Sequence, residues 1–178
     1  MIKRLRQILL LNECGGDETI PYKFSDADGV RTGRSGYSFG ISQFDIENNW
    51  DGIKALEHCG ITPKELKRLF LQRDNIDDIS DKLKKTIVDN LDIDHIIKSL
   101  DHCRRLLPHR TDLELAMLVD YHNQFYLSPN GKLHNFLKAA KSWNHVDIYD
   151  FKRMHTAWGR KRPDDVERRY KNTLEVFK

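Results

Sequence analysis

No stretch of the sequence is apolar over the length a membrane span needs; the longest run near the start is Ile8, Leu9, Leu10 and Leu11. That start, basic residues before a short apolar run, lacks the long h-region and small-residue cleavage site of a secretion signal, and Glu13 before Cys14 does not suit a lipoprotein site. Cysteine is scarce and odd in number. Cys14, Cys59 and Cys103 make no disulfide framework, which suits a reducing compartment. His58-Cys59 and His102-Cys103 lack the CxxC or HxxxH spacing of a chelate, so the cysteines read as small buried hydrophobes and no metal is expected. Repeats, linkers and low-complexity tracts are also missing.

What is there suits one soluble domain with two lobes around a cleft. The 178 residues are 39% hydrophobic and 32% charged, enough for a sizeable core. The net charge of +3 helps approach to an anionic polymer without choosing between nucleic acid, anionic lipid and cell wall. The densest basic run, Gly159-Arg160-Lys161-Arg162 with Arg168 and Arg169 beyond, has no interleaved aromatics and no nucleic-acid motif. It reads as a solvated or wall-facing surface.

The pattern is helical almost throughout. Ile2, Leu5, Ile8, Leu9 and Asn12 predict a helix that carries Glu13 at its end and is stopped by Gly15-Gly16. Asp45 is read as the N-cap of a helix running through Ile46, Trp50, Ile53 and Leu56 to Gly60. Thr62-Pro63-Lys64-Glu65 and Thr111-Asp112-Leu113-Glu114 are capping boxes. Further helices are predicted near 81–89, 92–107, 132–142 and 147–157, and a last one from Pro163. The helix after Thr111 is too continuously apolar for a surface element and reads as the central core helix. Its polar end, Asp120 to Phe125, reads equally as a lining of the cleft, through Asn123, or as a satisfied helix end.

Between Thr19 and Phe44 the helical period disappears. Short β-branched and aromatic stretches alternate with turn formers, predicting a small irregular antiparallel sheet rich in acids and hydroxyls. The fold class is α+β, mostly α, with a β lobe near 17–45 and a helical lobe near 46–178 plus the N-terminal helix. Glu13, at the negative end of a helix dipole, reads on position either as a general acid or as a solvated glutamate near a frayed helix end.

Three motifs follow Glu13 in order. Asp26-Ala27-Asp28-Gly29-Val30-Arg31-Thr32 has the form D-x-x-G-x-x-T. Ser35-Gly36-Tyr37-Ser38-Phe39-Gly40-Ile41-Ser42-Gln43-Phe44-Asp45 has the form G-x-x-x-G-x-x-Q-x-D, and Arg168-Arg169 lies in the final helix. With the order of elements, they resemble the lysozyme superfamily of phage-type and goose-type lysozymes and lytic transglycosylases. The resemblance covers about the first fifty residues and the tail. It implies a lysozyme-like fold and cleavage of peptidoglycan between N-acetylmuramic acid and N-acetylglucosamine, with Glu13 as acid and Asp26 with Thr32 positioning water. Asp45 is an alternative second carboxylate. Tyr37, Ser38, Gln43, Asp45 and Asn123 become candidate glycan contacts. A hydrolase would set its two carboxyl groups roughly 6.5 to 9.5 Å apart, whereas a transglycosylase uses the sugar's own 6-hydroxyl. The Glu13 to Asp26 spacing exceeds that of phage-type enzymes, and Ile41-Ser42 stands where transglycosylases carry Leu-Met, so both chemistries stay open. The implied protein is a monomer without cofactor. It needs no nucleic acid and no membrane insertion, and like an endolysin it is made in a host cytoplasm and acts on the wall after release.

Overall fold

The computed structural model describes residues 1–26, 36–71 and 76–178. It is mostly helical, with a small antiparallel sheet of two strands among the described residues. The chain divides into two compact units, Met1–Asn12 with Ile96–Lys178, and Glu13–His95. The boundaries fall inside two helices, α1 (Ile2–Cys14) and α5 (Lys85–Leu106).

The unit Glu13–His95 holds the sheet. A 3-10 turn at Ile20–Tyr22 leads through Ser25, which bridges Ser38, to β1 (Ser38–Phe39) and β2 (Phe44–Asp45). Ser38 pairs with Asp45 and Phe39 with Phe44. Helices α2 (Trp50–His58), α3 (Pro63–Phe70) and α4 (Asp77–Ser80) follow. Their apolar faces share one core with the strands, built around Phe39, Phe44, Ile46, Leu56, Leu69, Ile79 and Val88. Thr62 and Glu65 close the expected capping box on α3. The cap of α2 is a correction: the helix starts at Trp50, and Asn49 accepts from the Gly52 N–H at 2.8 Å. Asp45 turns the chain one step earlier.

The other unit is a bundle of α6 (Asp112–Phe125), α7 (Lys132–Ala139), α8 (His145–His155), α9 (Ala157–Lys161) and α10 (Pro163–Val176), with the start of α1 and the end of α5. The capping box at Thr111 opens α6, whose residues from Glu114 to Tyr121 are all buried, as a central helix requires. Helix α8 packs on α6, α7, α9 and α10. Gly159 lets α9 turn back tightly: a Cβ there would lie 2.0 Å from the Lys152 carbonyl. The two helices predicted near 81–89 and 92–107 are corrected to one, α5, because nothing around Leu91 breaks the backbone ladder.

A buried ion network fixes this bundle. Asp120 on α6 receives Lys152 Nζ from α8 at 2.6 Å, Arg169 Nη1 from α10 at 3.0 Å and Asn12 Nδ2 from α1 at 2.9 Å. Asn172 in turn donates to Asn12 Oδ1 at 2.9 Å. Burial opposes the Asp120 charge, but the Lys152 and Arg169 cations and the bonds from Lys152 and Asn12 outweigh it and hold its pKa at about 2. Arg168 donates to the Leu11 and Asn12 carbonyls at 3.1 Å each, capping the end of α1. The sequence reading of Arg169 as surface charge is therefore corrected, since it is buried, while Arg160, Lys161, Arg162 and Arg168 are exposed.

Removing the acceptor would take from Lys152 its buried counter-ion and leave Arg169 only Asp165 among the named ion pairs of the described residues. Asp120→Ala should cost about 3–5 kcal/mol in denaturant unfolding. Because the folded pKa is depressed, the contribution is complete above the ordinary carboxylate range near pH ~4 and is lost as pH falls from there through about 2. The wild type should lose melting temperature across that window more steeply than Asp120→Asn.

Candidate functional site

Glu13 stands in the last turn of α1, half-buried. The two residues that stop the helix do so as expected, Gly15 at φ +62° and Gly16 at φ +87°, a region open to glycine at little cost. Asp17 then accepts from the Thr19 N–H and hydroxyl at 2.7 Å each, which lowers its pKa and sets the chain into the 3-10 turn. Tyr22 on that turn donates to Asp89 of α5 at 2.7 Å and accepts from Lys85 at 2.9 Å.

The β turn is held by backbone and side-chain bonds from several elements. Gly40 takes φ +75° and Gln43 φ +54°, and Gly40 N–H donates to the Pro21 carbonyl at 2.8 Å. Asp92 on α5, fully buried, accepts from the Ile41 and Ser42 N–H groups at 2.9 Å each. Gln43 Nε2 donates to the Gly40 carbonyl at 3.1 Å, and its Oε1 accepts from the Ser25 hydroxyl at 3.0 Å. Gln43 thus shapes the turn on which it sits. Asp45 accepts from Gly36 N–H, Glu47 N–H and Asn48 Nδ2 at 2.7–3.0 Å, so its carboxylate is committed to holding the chain. Tyr37 packs edge-on against Phe24, and Ser38 is a buried strand residue.

Of the predicted residues, Glu13, Asp26, Tyr37, Ser38, Gln43 and Asp45 belong to one unit. Asp26 is exposed, next to the bridge residue Ser25. Asn123 is on α6 in the other unit, and Thr32 lies outside the described residues. Beside the 3-10 turn is a cleft of about 500 Å³ lined by Tyr22, Lys23, Phe24, Ile76, Asp77 and Ser80, among others; Glu13 and Asp26 do not line it.

Sequence reasoning missed Asp92. Its signal was a carboxylate in step with Val88 and Ile96, on the buried stripe of α5. Cys14 reports the same neighbourhood: burial first, then the charges of Glu13, Asp92 and Asp17, push its thiol up to about 12. The thiols of Cys14, Cys59 and Cys103 are free and buried. Among the described residues, no cluster of histidine, cysteine and carboxylate side chains could hold a metal ion.

Comparison with protein-family models, with curated proteins and with solved structures finds no match.

Two buried backbone donors depend on Asp92. Asp92→Ala should cost about 2–3 kcal/mol and loosen the 40–43 turn, visible as faster amide exchange at Ile41 and Ser42. Unchanged exchange there would show that the turn holds itself.

Proposed function

We propose that the chain is a peptidoglycan-cleaving glycosidase of the lysozyme type, with a lysozyme-like fold and Glu13 as general acid. The observation that supports this reading most is the position of Glu13. It closes a helix, two left-handed glycines follow, and the chain then enters a small antiparallel sheet whose glycine turn carries the G-x-x-x-G-x-x-Q-x-D run.

Cleaving the β-1,4 bond between N-acetylmuramic acid and N-acetylglucosamine requires a proton on the leaving oxygen, which Glu13 supplies. Asp26, which opens the D-x-x-G-x-x-T pattern and is exposed, is taken as the second carboxylate, with Asp45 as the alternative. With Thr32, Asp26 orients the attacking water. Tyr37, Ser38, Gln43 and Asp45 build the strand pair and turn that the glycan meets. The partner is the glycan strand of the wall, met by a monomer that needs no cofactor. An endolysin made in a host cytoplasm and acting after release agrees with three buried, reduced cysteines.

The engagement of Asp45 also favours a second reading, a lytic transglycosylase, which requires no second carboxylate and leaves 1,6-anhydromuramic ends. A non-catalytic wall-binding or phage structural module would bind glycan without turnover.

Glu13→Gln should lower turnover of purified cell wall by about 10²- to 10⁴-fold, with glycan binding and melting temperature unchanged. A folded Glu13→Gln protein of full activity would remove Glu13 from its role.

A further inference from the structure

A cleft of about 450 Å³ lies where the loop from α5 to α6 meets the loop from α7 to α8. The ionisable side chains lining it, His109, Arg110, Lys138 and Lys141, can all carry positive charge, and no carboxylate lines it. The Arg110 guanidinium lies 3.9 Å from the centre of the Trp143 ring, and Trp143 is buried. Stacking of this kind fixes the plane of the guanidinium and leaves its charge intact.

The cation has been given no counterpart. Arg110 Nε is buried and makes no hydrogen bond, and among the described residues no salt bridge uses Arg110, Lys138 or Lys141. This contrasts with Arg169 and Lys152 in the same unit, both neutralised by Asp120. A buried, unpaired N–H beside clustered positive charge is costly, and an anionic oxygen is the group that relieves both costs. His109 adds a backbone observation. Its φ of +59° is uncommon for a residue with a side chain, and such strain concentrates where a loop is shaped for a ligand.

We propose that this cleft is an oxyanion-binding site, holding a phosphate or a carboxylate against Arg110 with Lys138 and Lys141 at its rim. The guanidinium supplies a planar fork for two oxygens, and the exposed lysines supply mobile charge. The oxyanion belongs either to a phosphate-bearing polymer or to the carboxylate of a peptide. The site makes no use of Glu13, so it stands or falls separately from the glycosidase reading.

The test is titration of the full chain, isotope-labelled for amide spectra, with inorganic phosphate and in parallel with an N-acetylated alanine carboxylate, against sodium chloride at matched ionic strength. Saturable shifts should be confined to Leu106–Arg110 and Leu137–Trp143. Arg110→Ala should weaken binding about tenfold or more. Because that change also uncovers Trp143, Lys138→Gln with Lys141→Gln, both at exposed positions, serves as the second variant and should weaken binding severalfold in a normally folded protein. Tighter binding of phosphate assigns the site to a phosphate polymer, and tighter binding of the carboxylate assigns it to a peptide. Shifts that never saturate, that spread equally to Arg160–Arg162, or that persist unchanged in a folded variant would overturn the site.

Discussion

Asp120 is the constraint on which the helical unit depends. One carboxylate receives a lysine from α8, an arginine from α10 and an amide from α1, so four helices distant in sequence share a single acceptor. A buried pair of this kind adds little net stability over a well-packed apolar alternative. Its value is specificity. A slip of α6 against α8 by one position would part the buried Lys152 and Asp120 charges. The network also reaches the candidate acid's own helix. Asn12 is tied to Asp120 and Asn172, and the carbonyls of Leu11 and Asn12 are capped by Arg168. The residue before Glu13 is thereby anchored.

The unit that carries Glu13 repeats the device with a different acceptor. Asp92 satisfies two backbone donors, the Ile41 and Ser42 N–H groups, that the turn with Gly40 and Gln43 at positive φ would otherwise leave buried. The glycine-rich run is therefore held from beneath by a helix fifty residues away. Such support is what a site needs if its backbone is to keep one shape while a polymer moves across it.

Local chemistry was legible in the sequence, and long-range chemistry was not. The capping boxes at Thr62 and Thr111, the glycine exit after α1 and the buried run of α6 each depend on neighbours within about a turn of helix. The helix cap after β2 was misread because Asp45 and Asn49 are equally good capping residues. What separates them is that Asp45 is claimed by Gly36 and Asn48. Asp92, Asp120 and Arg169 find their partners 49 to 51 residues or more away, apart from the Lys152 bond at 32 and local Arg169–Asp165, so periodicity could mark them as acids or bases on an apolar stripe without naming the partner. Of the candidate site, the sequence yielded Glu13 and its segment. The structure adds that Gln43 and Asp45 serve the turn.

Mass analysis of the soluble fragments released from purified peptidoglycan, after borohydride reduction, addresses glycan cleavage most directly. Glu13 and Asp26 acting as acid and base give reducing muramic ends that take up hydride, and these ends vanish with Glu13→Gln. Anhydro ends would replace the hydrolase by the transglycosylase. No soluble fragment from the folded wild type at any pH would contradict a glycosidase altogether.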